Sequence, residues 1–203
     1  MEIIKSWGNL KTLPHKVITP NSTLELKDAV QNSKEAGIAF GRGRSYGDVC
    51  LNPSGVAWNT RKLAKFMSFD ETSGRLMCES GVTLKAIQRA FIPRGWSLPV
   101  TPGTQIVTVG GAIANDIHGK NHHRYGSFGE HITRIVLMRT DGKIIDCGPE
   151  QLPDWFSATV GGLGLTGVVI SAEIQLVQID SPWMDTETIV YRDLDEFFNL
   201  ADS

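Results

Sequence analysis

The sequence lacks the features that define several large classes of protein. No apolar run approaches the ~20 residues that a membrane-spanning helix needs, and the opening residues, MEIIKSWGNLKTLPHK, contain no apolar stretch typical of a signal peptide. The formal net charge is only -2, and lysine and arginine are scattered along the chain. This composition therefore favours neither a membrane-spanning protein nor one that binds nucleic acid.

Cysteine is also scarce. The chain contains only Cys50, Cys78 and Cys147, with no CxxC pair. An odd, widely spaced set of this kind is typical of reduced thiols in a cytoplasmic protein, where disulfides are rare. We expect all three to behave as small, unreactive hydrophobic residues.

Glycine, by contrast, is concentrated in separate segments of the chain. The segments are 41–47 (GRGRSYG), 107–129 and 161–167 (GGLGLTG). Each glycine costs conformational entropy on folding and buries no side chain, so such clusters are useful where backbone must approach a ligand closely. Consecutive backbone N–H groups in glycine loops can converge on a phosphate. The segments therefore predict a large ligand with phosphates that is held from several sides, such as a dinucleotide.

The usual dinucleotide fingerprint does not explain these segments. Gly162-x-Gly164-x-x-Gly167 matches the letters GxGxxG, but its predicted context is helix, loop, strand, which is the reverse of a Rossmann site. The first segment reads GxGxxxG and is followed by turn residues, so it does not fit either.

Local patterns along the chain favour an α+β fold. A capping box at Ser22–Glu25 predicts a helix that runs to Gly37. Thr83 is predicted to be the N-cap of a second helix. Turn signals predict β-hairpins over 65–80 and 132–146. Further predicted elements are a strand over 38–40, helices over 109–115 and around Trp155, a strand over 168–178, and a strand at 190–191 followed by a helix from 194. Hairpins mixed with helices indicate α+β rather than a regularly alternating parallel sheet.

The same patterns suggest how the chain is divided. Prolines and a glycine in the stretch 99–103 mark a break, so we expect a first lobe over residues 1–103 and a second over 104–180. Residues 181–203 resemble the opening strand and helix of something further. The chain is therefore expected to be part of a longer protein.

Four motifs together resemble a known family. They are FGRGRSYGD (40–48), TPGT (101–104), VGGAIANDIHGKNHH (109–123) and TVGGLGLTG (159–167). In combination they are similar to the FAD-binding domain of the vanillyl-alcohol-oxidase type, also called PCMH-type, over roughly residues 14–179. The resemblance is greatest to the branch of decaprenylphosphoryl-β-D-ribose oxidases, and aldonolactone and alditol oxidases are more distant. It implies a two-lobed PCMH-type FAD-binding domain of the α+β class, followed from residue 181 by a substrate (cap) domain.

The resemblance also implies which residues hold the cofactor. The first loop and segment 107–119 would surround the FAD pyrophosphate, and segment 161–167 would lie beside the cofactor. The implied cofactor-binding residues are Gly41, Arg42, Gly43, Arg44, Ser45, Tyr46, Gly47, Thr101, Pro102, Gly103, Thr108, Gly110, Gly111, Ala112, Ala114, Asn115, Ile117, His118, Gly119, Gly162, Gly164 and Gly167. Members with covalent flavin often carry histidine where this chain has Arg44. Because a guanidinium stays protonated and is no nucleophile, non-covalent FAD is expected.

Three of the implied residues are candidates for catalysis. Oxidation of an alcohol passes a hydride to the flavin while a base takes the hydroxyl proton, and the charge that grows on the flavin needs a donor or a cation. The resemblance places Tyr46, His118 and Lys120 near the flavin ring. We expect Tyr46 and His118 to orient flavin or substrate and Lys120 to stabilise charge. The principal base stays open, and the portion after residue 180 is an alternative place for it.

The expected function is FAD-dependent oxidation of a CH–OH group in a sugar or lipid-linked sugar, in a cytoplasmic enzyme of cell wall biosynthesis. A lipid-linked substrate would favour peripheral association with the inner face of the membrane and a partner epimerase or reductase. The substrate domain would lie after residue 180, so the 203-residue chain alone is expected to be inactive.

Other readings stay open. The chain could be an aldonolactone or alditol oxidase, an FAD-binding module without turnover, or a UDP-sugar reductase that requires NADPH. A metal site is a further alternative, because His118 and His122 have i, i+4 spacing and His123 and His131 lie nearby. Gly119 interrupts that spacing and no cysteine is close, so we expect no metal.

Overall fold

Short apolar segments separated by turn residues form the strands of this chain, and capped amphipathic segments form its helices. The computed structural model describes residues 1–9 and 13–201. In chain order the elements are β1 (Glu2–Ile4), β2 (Leu13–Ile18), α1 (Thr23–Gln31), β3 (Gly37–Phe40), β4 (Val56–Asn59), β5 (Phe66–Asp70), β6 (Arg75–Glu79), α2 (Leu84–Phe91), β7 (Trp96–Ser97), α3 (Val109–Ala114), α4 (His122–Tyr125), β8 (Ile132–Met138), β9 (Ile144–Cys147), α5 (Pro153–Thr159), β10 (Val168–Gln175), β11 (Val177–Gln178) and α6 (Leu194–Ala201). Single turns of 3-10 helix lie at Thr60–Lys62, Ile92–Arg94 and Phe128–His131.

The first sheet has the strand order β1-β2-β4-β3. Strand β1 pairs antiparallel with β2, whereas β2 and β3 both pair parallel with β4. Strands β2 and β3 lie on either side of β4 and run in the same direction, so the chain must cross over between them. Helix α1 and its flanking turns form this crossover. Strand β3 ends at Phe40, so this sheet delivers the chain directly into the first glycine loop.

The second sheet is antiparallel, with the strand order β5-β6-β10-β8-β9. One core cluster lies between this sheet and the apolar faces of α2 and α3, to which Ile87 and Ile113 contribute fully buried side chains. Another joins the two sheets, since Trp58 of β4 packs in the same cluster as Val168 and Ile170 of β10. The two sheets are therefore held together by shared apolar side chains.

The α+β class predicted from the sequence is confirmed, together with both hairpins. Asp70 pairs with Arg75 across the first turn, and Met138 pairs with Ile144 across the second. Thr83 caps α2 through a hydrogen bond from the Ala86 N–H to its hydroxyl. The change from the first sheet to the second falls between β4 and β5, well before residue 103 where the sequence suggested a lobe boundary.

Three details of the sequence prediction are wrong. Helix α1 ends at Gln31 rather than Gly37, because the Asn32 side chain donates to the Asp28 carbonyl and closes the last turn. The strand predicted over 168–178 is interrupted at Leu176, where the chain leaves the second sheet and β11 pairs with β7. Val190 and Tyr191 do not form a strand.

Residues 181–201 extend beyond the second sheet with little burial. Helix α6 confirms the predicted start of a helix at 194, and Trp183, Met184 and Val190 are all more than four-fifths exposed. The last residues of the predicted 181–203 segment, Asp202 and Ser203, lie outside the described residues. None of the helices in the described part of the chain combines the length and hydropathy that crossing a membrane requires.

Candidate cofactor-binding cleft

All three glycine segments and the turn at 101–104 line one cleft. Its volume is about 1580 Å³, larger than the 300–1,000 Å³ typical of pockets for drug-sized ligands. Side chains at the ends of both sheets contribute to its wall, including Phe40 of β3 and Val169 of β10. A cleft of this size suits an extended ligand, as the glycine segments predict.

Most of the site residues predicted from the sequence lie on this wall. They are Gly41, Arg42, Gly43, Arg44, Ser45, Tyr46, Thr101, Pro102, Gly103, Thr108, Gly110, Gly111, Ala114, Asn115, Ile117, His118, Gly119, Lys120, Gly164 and Gly167. Gly47, Ala112 and Gly162 are not brought to it. Ala112 is fully buried in the core instead, and a side chain at Gly162 would overlap the Ala158 carbonyl, so these two positions serve packing.

The first loop is shaped by close backbone approach. Gly43 has a φ of 61°, and a Cβ there would overlap the Lys5 carbonyl. A Cβ at Gly41 would overlap the hydroxyl of Thr108, so this glycine allows the loop to touch the start of α3. The Trp7 N–H donates to the Ser45 carbonyl over 3.2 Å, which ties the loop to the segment after β1.

Several backbone N–H groups of this loop donate no hydrogen bond to another described residue. Among hydrogen bonds between described residues, none is donated by the backbone N–H of Arg42, Gly43, Arg44 or Tyr46. Arg42 and Arg44 carry guanidinium groups, and Gly43 lies between them in the sequence. Free N–H groups on a positively charged loop that lines a cleft form a suitable site for a phosphate.

The start of α3, in the segment that we expect to surround the pyrophosphate together with the first loop, uses its amides differently from that loop. Val109 N–H donates to the Val82 carbonyl over 2.8 Å, and Gly110 N–H donates to the Ser80 carbonyl over 2.8 Å. Gly111 N–H donates to the Thr108 hydroxyl. The first amides of α3 are therefore used within the protein, and this segment supplies wall rather than backbone donors.

The third glycine segment is fastened to the other end of α3. Gly161 N–H donates to the Ile113 carbonyl over 2.9 Å, and Leu163 N–H donates to the Ala114 carbonyl over 2.8 Å. Leu163 has a φ of 55°, which is uncommon for a residue with a side chain. Helix α5 precedes the segment and β10 follows it, which confirms that the context of its GxGxxG letters is not that of a Rossmann site.

The three candidate catalytic residues all line the cleft and are all exposed. Tyr46 is 78% exposed and packs edge-on against the ring of Trp7, with 5.5 Å between the ring centroids. His118 forms an isolated β-bridge with Ser127. Lys120 follows Gly119, whose Cα faces the backbone of Thr101 too closely for a side chain. The backbone between His118 and Lys120 therefore lies against the 101–104 turn.

Two of the histidines after His118, His122 and His131, have hydrogen-bond partners within the protein. The Nδ1 of His122 lies 3.1 Å from the Gly119 carbonyl, and the Nε2 of His131 lies 2.8 Å from the Tyr125 carbonyl. In the part of the chain that the structure describes, no group of three or more His, Cys, Asp or Glu residues is placed to hold a metal ion.

Sequence reasoning missed several residues of the cleft wall. Trp7 and Ser80 come from segments far from any glycine cluster and reach the cleft through strand pairing, for which the local sequence carries no signal. Cys50 also lines the cleft, whereas Cys78 and Cys147 are buried in the core. Burial raises the pKa of the Cys50 thiol, and it raises the pKa of the fully buried Cys78 to about 12.

Comparison with known proteins adds independent information. A family model described as "FAD binding domain" matches residues 14–148. Decaprenylphosphoryl-beta-D-ribose oxidase of Mycolicibacterium smegmatis is 36% identical over 95% of this chain and 43% of its own length. D-lactate dehydrogenase of Archaeoglobus fulgidus is 28% identical over 79% of the chain and 38% of its own length, and D-arabinono-1,4-lactone oxidase of Yarrowia lipolytica is 24% identical over 85% and 34%. The chain spans less than half of the length of these relatives.

Proposed function

Because the chain belongs to the FAD binding domain family, whose model matches residues 14–148, we propose that it is the cofactor-binding part of an enzyme that oxidises a CH–OH group of a sugar or lipid-linked sugar. The observation that carries this proposal is the convergence of the glycine segments on one cleft in a chain whose relatives are oxidoreductases. The relatives include a decaprenylphosphoryl-beta-D-ribose oxidase and a D-arabinono-1,4-lactone oxidase.

The residues of the cleft fit FAD. The backbone N–H groups of Arg42, Gly43 and Arg44, which donate to no other described residue, suit the pyrophosphate, since oriented amides and a cationic loop stabilise negative charge. An unpaired hydroxyl on the wall, that of Ser80, is a further polar group for which the protein offers no partner among the described residues. Gly167 lies so close to the Met138 carbonyl that no side chain fits at this position of the wall, and Gly164 has a φ of 81°, a conformation that favours glycine.

The proposed roles of this chain's residues follow from their chemistry. When bound, FAD supplies the hydride acceptor. Lys120 provides a positive charge for the negative charge that develops during hydride transfer, and it can do so because it lines the cleft and is not tied in an ion pair among the described residues. Tyr46 and His118 hold the substrate or the ring system in place. Arg44 binds an anion and makes no covalent bond, so FAD is held non-covalently.

The whole protein's substrate and setting are proposed on the same basis. A lipid-linked pentose is preferred, because the M. smegmatis relative is similar over 95% of this chain. The oxidised sugar would then pass to a partner reductase. Oxidation followed by reduction on the opposite face would invert the configuration of the alcohol carbon, so that the two enzymes together act as an epimerase. We place the enzyme in the cytoplasm, at the inner face of the membrane, in synthesis of the cell wall. An aldonolactone is the second candidate substrate, supported by the lactone oxidase relative.

Substrate-dependent bleaching of the flavin tests this proposal. The full-length gene product loaded with FAD is mixed without oxygen with a short-chain prenylphosphoryl pentose, with D-arabinono-1,4-lactone, and with D-lactate as a non-sugar alcohol. We expect the first to remove the flavin absorption band fastest. Faster bleaching by the lactone would select the second candidate. If only dithionite bleaches the flavin, the protein is no sugar oxidase.

The same assay tests the role of Lys120. Lys120→Ala should retain FAD but slow bleaching by roughly 100-fold, because one electrostatic donor to developing charge is lost. Lys143→Ala is the matched control, since its side chain is 80% exposed on the turn between β8 and β9, outside the cleft. Unchanged bleaching in Lys120→Ala would refute the role.

A further inference from the structure

Ser80 combines burial, an unpaired hydroxyl and a position on the cleft wall. The residue is 1% exposed, and its Oγ has no hydrogen-bond partner among the residues that the structure describes. Two other buried polar atoms, Ser6 Oγ and Trp58 Nε1, share this lack of a partner, but neither residue lines the cleft. A buried hydroxyl without a partner destabilises the protein unless something else bonds to it.

The backbone of Ser80 is fixed on both sides. Its N–H donates to the Ile170 carbonyl of β10 over 2.9 Å, and its carbonyl accepts from the Gly110 N–H of α3 over 2.8 Å. Ser80 therefore lies at the point where the second sheet and α3 are joined. Because both backbone groups are used, the hydroxyl is the remaining polar group that Ser80 can offer.

Gly110 leaves the space beside this hydroxyl open. A Cβ built on Gly110 would lie 3.0 Å from Ser80 Cβ and 3.6 Å from Ser80 Oγ. With glycine at this position, no side chain of residue 110 stands over Ser80, and both residues line the cleft. Ser80 and Gly110 thus lie side by side in the wall of the cleft.

We infer that the Ser80 hydroxyl hydrogen-bonds bound FAD and that Ser80 is a cofactor-binding residue. This inference rests on FAD binding and not on the proposed oxidation of a sugar. A hydroxyl can donate to a phosphate oxygen and accept from a cofactor hydroxyl, so it suits the polar chain of a dinucleotide. Bound FAD would then satisfy a group that the polypeptide leaves unsatisfied.

Two alanine variants of the 203-residue chain test the inference. Ser80→Ala and Ser6→Ala each remove one buried, unpaired hydroxyl, so both should raise the melting temperature of the FAD-free chain. Only Ser80→Ala should weaken FAD binding, by roughly 3- to 10-fold, as expected for one lost hydrogen bond. Quenching of flavin fluorescence measures the affinity, and the rise in melting temperature with added FAD should be smaller in Ser80→Ala alone.

Three outcomes would overturn the inference. If Ser80→Ala binds FAD as tightly as the unmodified chain, the hydroxyl makes no bond to the cofactor. If both variants lose affinity equally, the effect is structural. If the unmodified chain takes up no FAD, the inference falls together with the cofactor assignment. Tight FAD binding without bleaching by any sugar would instead refute the proposed function, and the inference about Ser80 would still hold.

Discussion

At the residue scale, two glycines of the first loop are under different physical constraints although their backbone angles match. Gly43 and Gly47 have φ values of 61° and 60°. A Cβ at Gly43 would overlap the Lys5 carbonyl, whereas a Cβ at Gly47 would meet nothing within 4 Å. Gly43 is therefore required both for its backbone conformation and for space, and Gly47 for its conformation alone.

This difference predicts unequal effects of the same substitution. Gly47→Ala should cost about 1 kcal/mol, the penalty of a left-handed conformation for alanine. Gly43→Ala should lower the free energy of unfolding by more, because the loop must also move away from Lys5. It should also weaken FAD binding, because the N–H groups of residues 42–44, which donate to no other described residue, move with the loop. Thermal unfolding and FAD titration of both variants measure the two effects. Equal losses of stability and affinity would show that the contact with Lys5 is not close.

At the element scale, α2 and α3 begin at one shared junction. Their N-cap residues Thr83 and Thr108 form an isolated antiparallel bridge. Leu84 N–H donates to the Val107 carbonyl, and Val109 N–H donates to the Val82 carbonyl. Each threonine hydroxyl also accepts the N–H of the third residue of its helix. Both helices are thereby started and aligned on the second sheet together, but only Thr108 lines the cleft.

Because the two caps are alike, they form a matched pair of substitutions. Thr83→Ala and Thr108→Ala should each cost about 1 kcal/mol through the lost N-cap. Thr108→Ala should also lower the affinity for FAD, since its hydroxyl touches Gly41 of the first loop. Urea unfolding gives the stabilities and flavin fluorescence the affinities. A loss of affinity as large in Thr83→Ala would contradict a specific part for Thr108 in the cleft.

Local sequence signals predicted the elements that local interactions form. The hairpin turns, the cap at Thr83 and the short helix after Thr108 depend on residues a few positions apart, and the structure has all of them. The break at Leu176 was not predictable in this way. Its N–H bonds to the Gly74 carbonyl, and β11 then pairs with β7, so distant parts of the chain decide where the strand ends.

At the scale of the whole molecule, the cleft depends on how the two sheets are joined. Trp58 of the first sheet and Val168 and Ile170 of the second share one apolar cluster, which holds the first loop opposite α3. The glycine segments identified half of the residues of the wall from sequence, because close approach of the backbone requires glycine. Trp7 and Ser80 carry no such signal in the sequence, since the antiparallel pairing of β1 in the first sheet and the position of β6 bring them to the cleft.

The most direct test of this account is the absorbance spectrum of the purified 203-residue chain with FAD, before and after acid precipitation. The account predicts a flavin band that elutes with the protein and moves entirely to the supernatant on precipitation, because the cleft binds FAD and Arg44 forms no bond to it. A yellow pellet would contradict non-covalent binding. A protein that stays colourless after incubation with FAD would contradict the central claim that this cleft holds the cofactor.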